Sequence, residues 1–212
     1  MEKRGIKAIV FDIGGVLQLG KYSKKTIRGH RELGVHRYVT EKLRISLDQY
    51  FDSIDTPYAK SIEGTIKEKD ALNQIAKNLK ISIKKLRKLF HNAYKKNFTY
   101  NRELANYAIK LRKKGYVIAI LSDQWHLSKP EFLTKTMVKH FDPILISCDV
   151  GVRKPNPKFY KILLKKLKLP SKQVVFIDNQ EWNIKPAKKL KEKTILFKNN
   201  KQTIRELEKL LK

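Results

Sequence analysis

Four polar residues stand at or just beyond the ends of short apolar runs, and their types suit phosphoryl chemistry. Asp12 follows Ala8–Phe11 (AIVF) and precedes Gly14-Gly15, a pair that lets the chain turn sharply and a ligand approach the backbone. Ser122 closes the run Tyr116–Leu121, and Asp178 closes Val174–Ile177. Lys154 lies in the loop after Ile144–Ile146. A carboxylate can attack phosphorus and form an aspartyl-phosphate. A hydroxyl and an ammonium suit phosphate oxygens, the ammonium as a point charge. A second carboxylate facing the first needs something to offset the repulsion, and Mg2+ with oxygen ligands is a natural candidate. Each residue also has a plainer reading. Asp12 and Ser122 can cap turns, Asp178 can cap a helix, and Lys154 is one lysine among many.

These residues can meet only if the elements carry them to one edge. Short apolar runs bounded by charge and glycine read as strands buried on both faces of a parallel sheet. Between them lie helical patterns: Asn101–Lys114, ended by Gly115, then Lys158–Lys168, Trp182–Leu190 and Thr203–Leu211. The alternation predicts βαβ units and a parallel sheet flanked by helices, with all strand carboxyl ends on one edge. Val16–Lys21 reads as a turn or small flap. The stretch 22–98 has a different character. Leu72, Ile75, Ala76 and Leu79, then Ile83, Leu86, Leu89 and Phe90, recur at helical spacing, with Ser82 as an N-cap. Thr56-Pro57 and Glu63-Gly64-Thr65 read as breaks, and no buried-strand pattern is visible. The expectation is an α/β, Rossmann-like core of residues 1–18 and 99–212, with an all-helical insert of about four helices over 19–98. Tyr50, Phe51, Tyr58 and Tyr94 are expected in the core of that insert.

Composition narrows the function classes. The formal net charge is +28, and of the 48 basic residues 10 are Arg. Lysine spread along nearly every helix suits a solvated surface better than a site reading bases or phosphates, where Arg is the usual choice. Nucleic acid is therefore expected to bind only non-specifically. No apolar run is long enough to cross a membrane. Met1–Gly5 leads straight into the first strand, leaving no room for a signal peptide, and the single Cys148 reads as a buried thiol. Both features fit a reducing, cytoplasmic setting. The five histidines, His30, His36, His91, His126 and His140, show no metal-ligand spacing. Oligomeric state is not legible.

The segments FDIGGVL, AILSDQW, GVRKPNPKFY and VVFIDNQEWNIKPA resemble, in order and spacing, the four motifs of the haloacid dehalogenase-like (HAD) hydrolases. LRKKGYVIAILSDQW, HFDPILISCDVGVRKP and NIKPA are most similar to the phosphatase-type domain of soluble epoxide hydrolases and to related sugar-phosphate phosphatases. The resemblance implies a core with a helical cap and hydrolysis of a small phosphorylated metabolite. It implies Asp12 as nucleophile, Ser122 and backbone N–H groups near Asp123 as phosphate binders, and Lys154 as the neutralising lysine. It places Mg2+ on Asp12, the Gly14 carbonyl, Asp178 and Asn179, with Asn183 in support. Two positions depart from the pattern. Gly14 stands where most family phosphatases carry an Asp that protonates the leaving group and activates water. Asn179 replaces the second residue of an acidic pair and occupies the place of the more important metal ligand. A weakened or inactive protein that binds a phosphorylated ligand or partner is the alternative these departures raise.

Overall fold

The computed structural model describes residues 5–21 and 33–212. His30 lies outside the described residues. The order of elements begins β1 (Ala8–Phe11), β2 (Gln18–Gly20), α1 (Leu33–Leu43), α2 (Leu47–Ile62), α3 (Glu68–Asn78), α4 (Ile83–Asn97) and β3 (Phe98–Tyr100). It continues α5 (Arg102–Lys113), β4 (Val117–Ser122), α6 (Lys129–Phe132), α7 (Lys135–His140), β5 (Ile144–Ile146) and α8 (Ser147–Val150). The chain then forms α9 (Pro157–Leu167), β6 (Val174–Asp178), α10 (Glu181–Lys189), β7 (Lys193–Leu196) and α11 (Asn200–Leu210).

Five strands form one sheet in the order β5-β4-β1-β6-β7, with every pairing parallel. Successive side chains of a strand point to opposite faces. On β1, Ile9 and Phe11 join a cluster with Leu104, Ala108 and Leu207 of α5 and α11. Ala8 and Val10 join Phe159, Leu163, Ile184 and Ala187 of α9 and α10. Both faces are thus covered, which is why the strands carry no alternating polar residues. The chain leaves β1 towards β4 on one side and later places β6 on the other. The carboxyl end of β1 therefore lies where the winding reverses, the place where open α/β sheets bind ligands.

The helices α1–α4 bury Val39, Tyr50, Ile54, Leu72, Ile75, Leu86 and Phe90 in one cluster that also takes in Trp125 and Leu127, with Phe51, Tyr58 and Tyr94 packed against it. Ser46 caps α2 in a reciprocal capping box with Gln49, and Ser82 caps α4. The predicted break at Thr56-Pro57 does not occur, because α2 runs through Pro57. A proline removes the bond to the carbonyl four residues back. That carbonyl, Ser53 O, instead accepts from Asn78 Nδ2 at 2.9 Å. The break at Glu63-Gly64 is real: Gly64 has φ +68°, and a Cβ there would lie 2.9 Å from Cys148 O and from the Gly151 backbone. The flap proves to be half of a two-stranded antiparallel sheet, β2 with β3. Strands of three residues are too short to show a period-2 pattern, and these two lie on either side of the helices. No helix among the described residues is long and apolar enough to cross a membrane.

Candidate active site

Asp12 directly follows β1, Ser122 ends β4 and Asp178 ends β6, so the sheet brings all three to one edge. The loop after α8 returns Lys154 between the two carboxylates. Its Nζ lies 3.0 Å from Asp12 Oδ1 and 2.6 Å from Asp178 Oδ2. All three are buried, with Lys154 only 2% exposed. Asp178 is held from every side: Oδ1 accepts from the Gln180 N–H, and Asn183 Nδ2 lies 3.2 and 3.1 Å from the two oxygens. Together these donors use the four acceptor positions a carboxylate offers.

Ser122 Oγ accepts from the Ile13 N–H at 3.4 Å and from Gln124 Nε2 at 3.0 Å. The Ser122 hydroxyl also favours the charged form of the Asp12 carboxyl. The Asp123 carboxylate is engaged by the loop that carries Lys154. Oδ1 accepts from the Lys154 N–H at 3.0 Å, and Oδ2 lies 3.4 Å from Arg153 Nε. Its carboxylate thereby anchors the loop that delivers Lys154.

Burial pushes the Asp12 carboxyl up to about 6, with Lys154 opposing and Asp178 adding to the rise. Burial also works against the Lys154 ammonium, but Asp12, Asp178 and Asp123 outweigh it and hold its pKa above the ordinary lysine value. Lys154 is therefore a fixed positive charge, not a proton donor.

Gly15 has φ +80°, and a Cβ on it would lie 2.9 Å from Asn179 Cγ. The glycine thus makes room for the Asn179 amide. Asn179 Oδ1 is buried without a hydrogen-bond partner. A buried acceptor left unpaired costs about 1–3 kcal/mol. An oxygen-seeking cation would satisfy it, so the donors fit Mg2+. No group of three or more His, Cys, Asp or Glu forms a metal cluster among the described residues. The expected ligands, Asp12, the Gly14 carbonyl, Asp178 and Asn179, instead offer carboxylate, main-chain carbonyl and amide oxygens, and those of Asp178 already accept from Lys154, Gln180 and Asn183.

Two supporting residues escaped the sequence reading. Ser147 Oγ accepts from the Gln124 N–H at 3.1 Å and donates to Gln124 O at 3.2 Å, fixing the turn after Ser122. Ser147 directly follows β5, so the strand-end rule that found Ser122 applies to it too. Trp125 is the second. It leaves the same turn, packs on Tyr58 and Phe90 among the insert helices, and donates Nε1–H to Tyr94 Oη at 2.8 Å. His126 is half-buried, with Nδ1 2.6 Å from Ser61 Oγ of α2. An open depression of about 260 Å³ lined by Arg87, His91, Leu127 and Glu131 contains none of the strand-end residues.

The profile of the haloacid dehalogenase-like hydrolases matches residues 31–197. The bifunctional epoxide hydrolase 2 of Mus musculus is 31% identical over 226 residues, covering 97% of this chain and 39% of the mouse protein. The chain thus spans about two-fifths of the length of that relative. The glyceraldehyde 3-phosphate phosphatase of Pyrococcus furiosus is 30% identical over 128 residues, covering 56% of this chain and 50% of that protein. A predicted HAD-like family hydrolase from Porphyromonas gingivalis superposes with TM-score 0.77 at 21% identity, covering 98% of both chains. A HAD family enzyme from Bacteroides thetaiotaomicron, solved with magnesium and inorganic phosphate, superposes with TM-score 0.73 at 21% identity, covering 94% of this chain and 99% of that one. At such identities the two structures speak for the fold alone. With a profile match over most of its length and strand-end residues gathered on one sheet edge, the chain belongs to the haloacid dehalogenase-like hydrolases.

Proposed function

We propose that the chain is a Mg2+-dependent phosphatase of a small phosphorylated metabolite, acting through an aspartyl-phosphate on Asp12. The observation that carries this reading is the buried Asp12–Lys154–Asp178 array beside Ser122. Asp12 is the nucleophile. Lys154 offsets the charge that accumulates when a phosphate dianion meets a carboxylate in a site of low dielectric. Ser122 and the N–H groups around Asp123 receive phosphate oxygens. Asp178, with Asn183 behind it, sets the position of Lys154. Asp12, the Gly14 carbonyl and Asn179 Oδ1 would hold Mg2+, with Asp178 adding negative charge behind them. When bound, the ion supplies Lewis-acid stabilisation of charge on the phosphoryl oxygens. Residues 19–98 serve as a cap over a core of 1–18 and 99–212.

Hydrolysis of para-nitrophenyl phosphate and a sugar-phosphate panel, with Mg2+ or with chelator, tests the reading on wild type and Asp12→Asn. Metal-dependent turnover lost in the variant supports it. The second reading, a protein that binds a phosphorylated ligand without turning it over, draws on Gly14 and on an amide at position 179. It predicts that inorganic phosphate raises the melting temperature while neither protein hydrolyses any substrate.

A further inference from the structure

Lysine runs along nearly every helix, but the folded chain does not match it evenly with acid. On α2 and α3 the lysines are interleaved with exposed Asp48, Asp52, Asp55, Glu68 and Asp70. The face made by α9 and α10 differs. The first helix follows the loop that carries Lys154 and the second follows β6. They lie together over Ala8, Val10 and Phe176, and the Tyr160 hydroxyl of α9 donates to Asn183 O of α10 at 2.7 Å. The helix period then fixes what points outward. With Phe159, Tyr160 and Leu163 buried, α9 turns Lys158, Lys161 and Lys165 to solvent. With Asn183, Ile184 and Ala187 buried, α10 turns out Trp182, Lys185 and Lys189. The acids between residues 157 and 193 are Asp178, Glu181 and Glu192, and of these only Glu181 is exposed. None of the lysines just named joins an ion pair among the described residues.

Trp182 is 58% exposed at the start of α10. Unpaired bases stack on an indole held in water on a cationic face, while lysines track the phosphates. Lysine serves there as a point charge and carries no base code. An anionic membrane would need apolar area to bury as well. The other large apolar residues exposed among the described ones, Val117 and Val138, lie on β4 and α7. We propose that the α9–α10 face binds single-stranded nucleic acid without sequence preference, with phosphates along the lysines and a base on Trp182. This binding does not depend on phosphatase chemistry at Asp12.

Titration with a single-stranded oligothymidylate at near-physiological salt tests it, read by fluorescence anisotropy of the labelled strand and by tryptophan emission. The chain holds two tryptophans and Trp125 is 3% exposed, so quenching of the emission reports on Trp182. The expected result is quenching on binding. Trp182→Ala should weaken binding at least about 5-fold, the lower end of what one stacked base contributes. Trp182→Phe should keep most of the affinity and lose the quenching. Joint Lys161→Gln, Lys165→Gln, Lys185→Gln and Lys189→Gln should make the slope of log affinity against log salt shallower by about 0.7 per lysine. The matched set Lys110→Gln, Lys113→Gln, Lys201→Gln and Lys209→Gln removes the same charge from α5 and α11, on the other face of the sheet, and should change the slope far less. Equal losses from the two sets would mean attraction by net charge alone and overturn the proposal. Affinity unchanged in Trp182→Ala overturns it as well. So does tighter binding to phosphatidylserine vesicles or to polyglutamate than to the oligonucleotide, which would assign the face to a membrane or to an acidic protein.

Discussion

Lys154→Met removes the charge that joins Asp12 to Asp178 and keeps most of the aliphatic stem. The lysine side chain is 1% exposed, and its partners are 9% and 0% exposed. Solvent therefore cannot take over the role of the ammonium. Breaking a buried ion pair from one side costs about 3–5 kcal/mol, because an uncompensated charge stays behind. Here two carboxylates are left, so the upper part of that range is expected. Urea unfolding at pH 7 measures it. The pH dependence identifies the cause. Without the lysine, which opposes the rise, the folded-state pKa of the Asp12 carboxyl stays above the unfolded value near 3.8. The folded variant then binds more protons than the unfolded chain, and its stability rises as pH falls through that window. The gap to wild type should narrow accordingly. Adding Asp178→Asn should recover part of the loss, since one stranded charge goes with it. A deficit under about 1 kcal/mol, the value of an exposed pair, would refute the reasoning, and so would a deficit independent of pH.

Further predictions concern residues around this array. Glu192 is 4% exposed, neither carboxylate oxygen has a partner, and burial pushes its carboxyl up to about 8 from 4.5. Its folded pKa exceeds its unfolded one, so the stability it permits is full below pH 4.5 and is lost as pH rises towards 8. Glu192→Gln should stabilise by up to about 3 kcal/mol at pH 7 and by nothing near pH 4, as read by thermal unfolding. Gly15→Ala should cost about 1–2 kcal/mol in chemical unfolding for its left-handed backbone and should weaken Mg2+ binding in calorimetry by displacing Asn179. Trp125→Ala should cost about 3–5 kcal/mol in the same unfolding assay, because it empties a buried site between Tyr58 and Phe90.

The legible features were those set by local chemistry. Buried strands of a parallel sheet are apolar on both faces, so β1, β4, β5 and β6 stood out as short runs, and a polar residue at or beyond each carboxyl end marked the site edge. The helices of the insert showed through spacing and through caps such as Ser82. What stayed hidden depended on distant partners. Pro57 looks like a break until Asn78 is seen to satisfy the carbonyl it frees. β2 and β3 exist because each is the other's partner. Trp125 reads as one more core aromatic, and nothing in its neighbours reveals that it joins the Ser122 turn to the insert helices. The saturation of Asp178 needed the fold, because Lys154, Gln180 and Asn183 converge on it from separate segments.

The most direct measurement is to quench the enzyme with acid during turnover of an activated phosphate ester and to map phosphoryl groups by mass spectrometry. The account predicts one phosphoryl group on the peptide carrying Asp12, absent in Asp12→Asn and absent when Mg2+ is chelated. Metal-dependent turnover that persists in Asp12→Asn, or a phosphoryl group found on another residue, would contradict it.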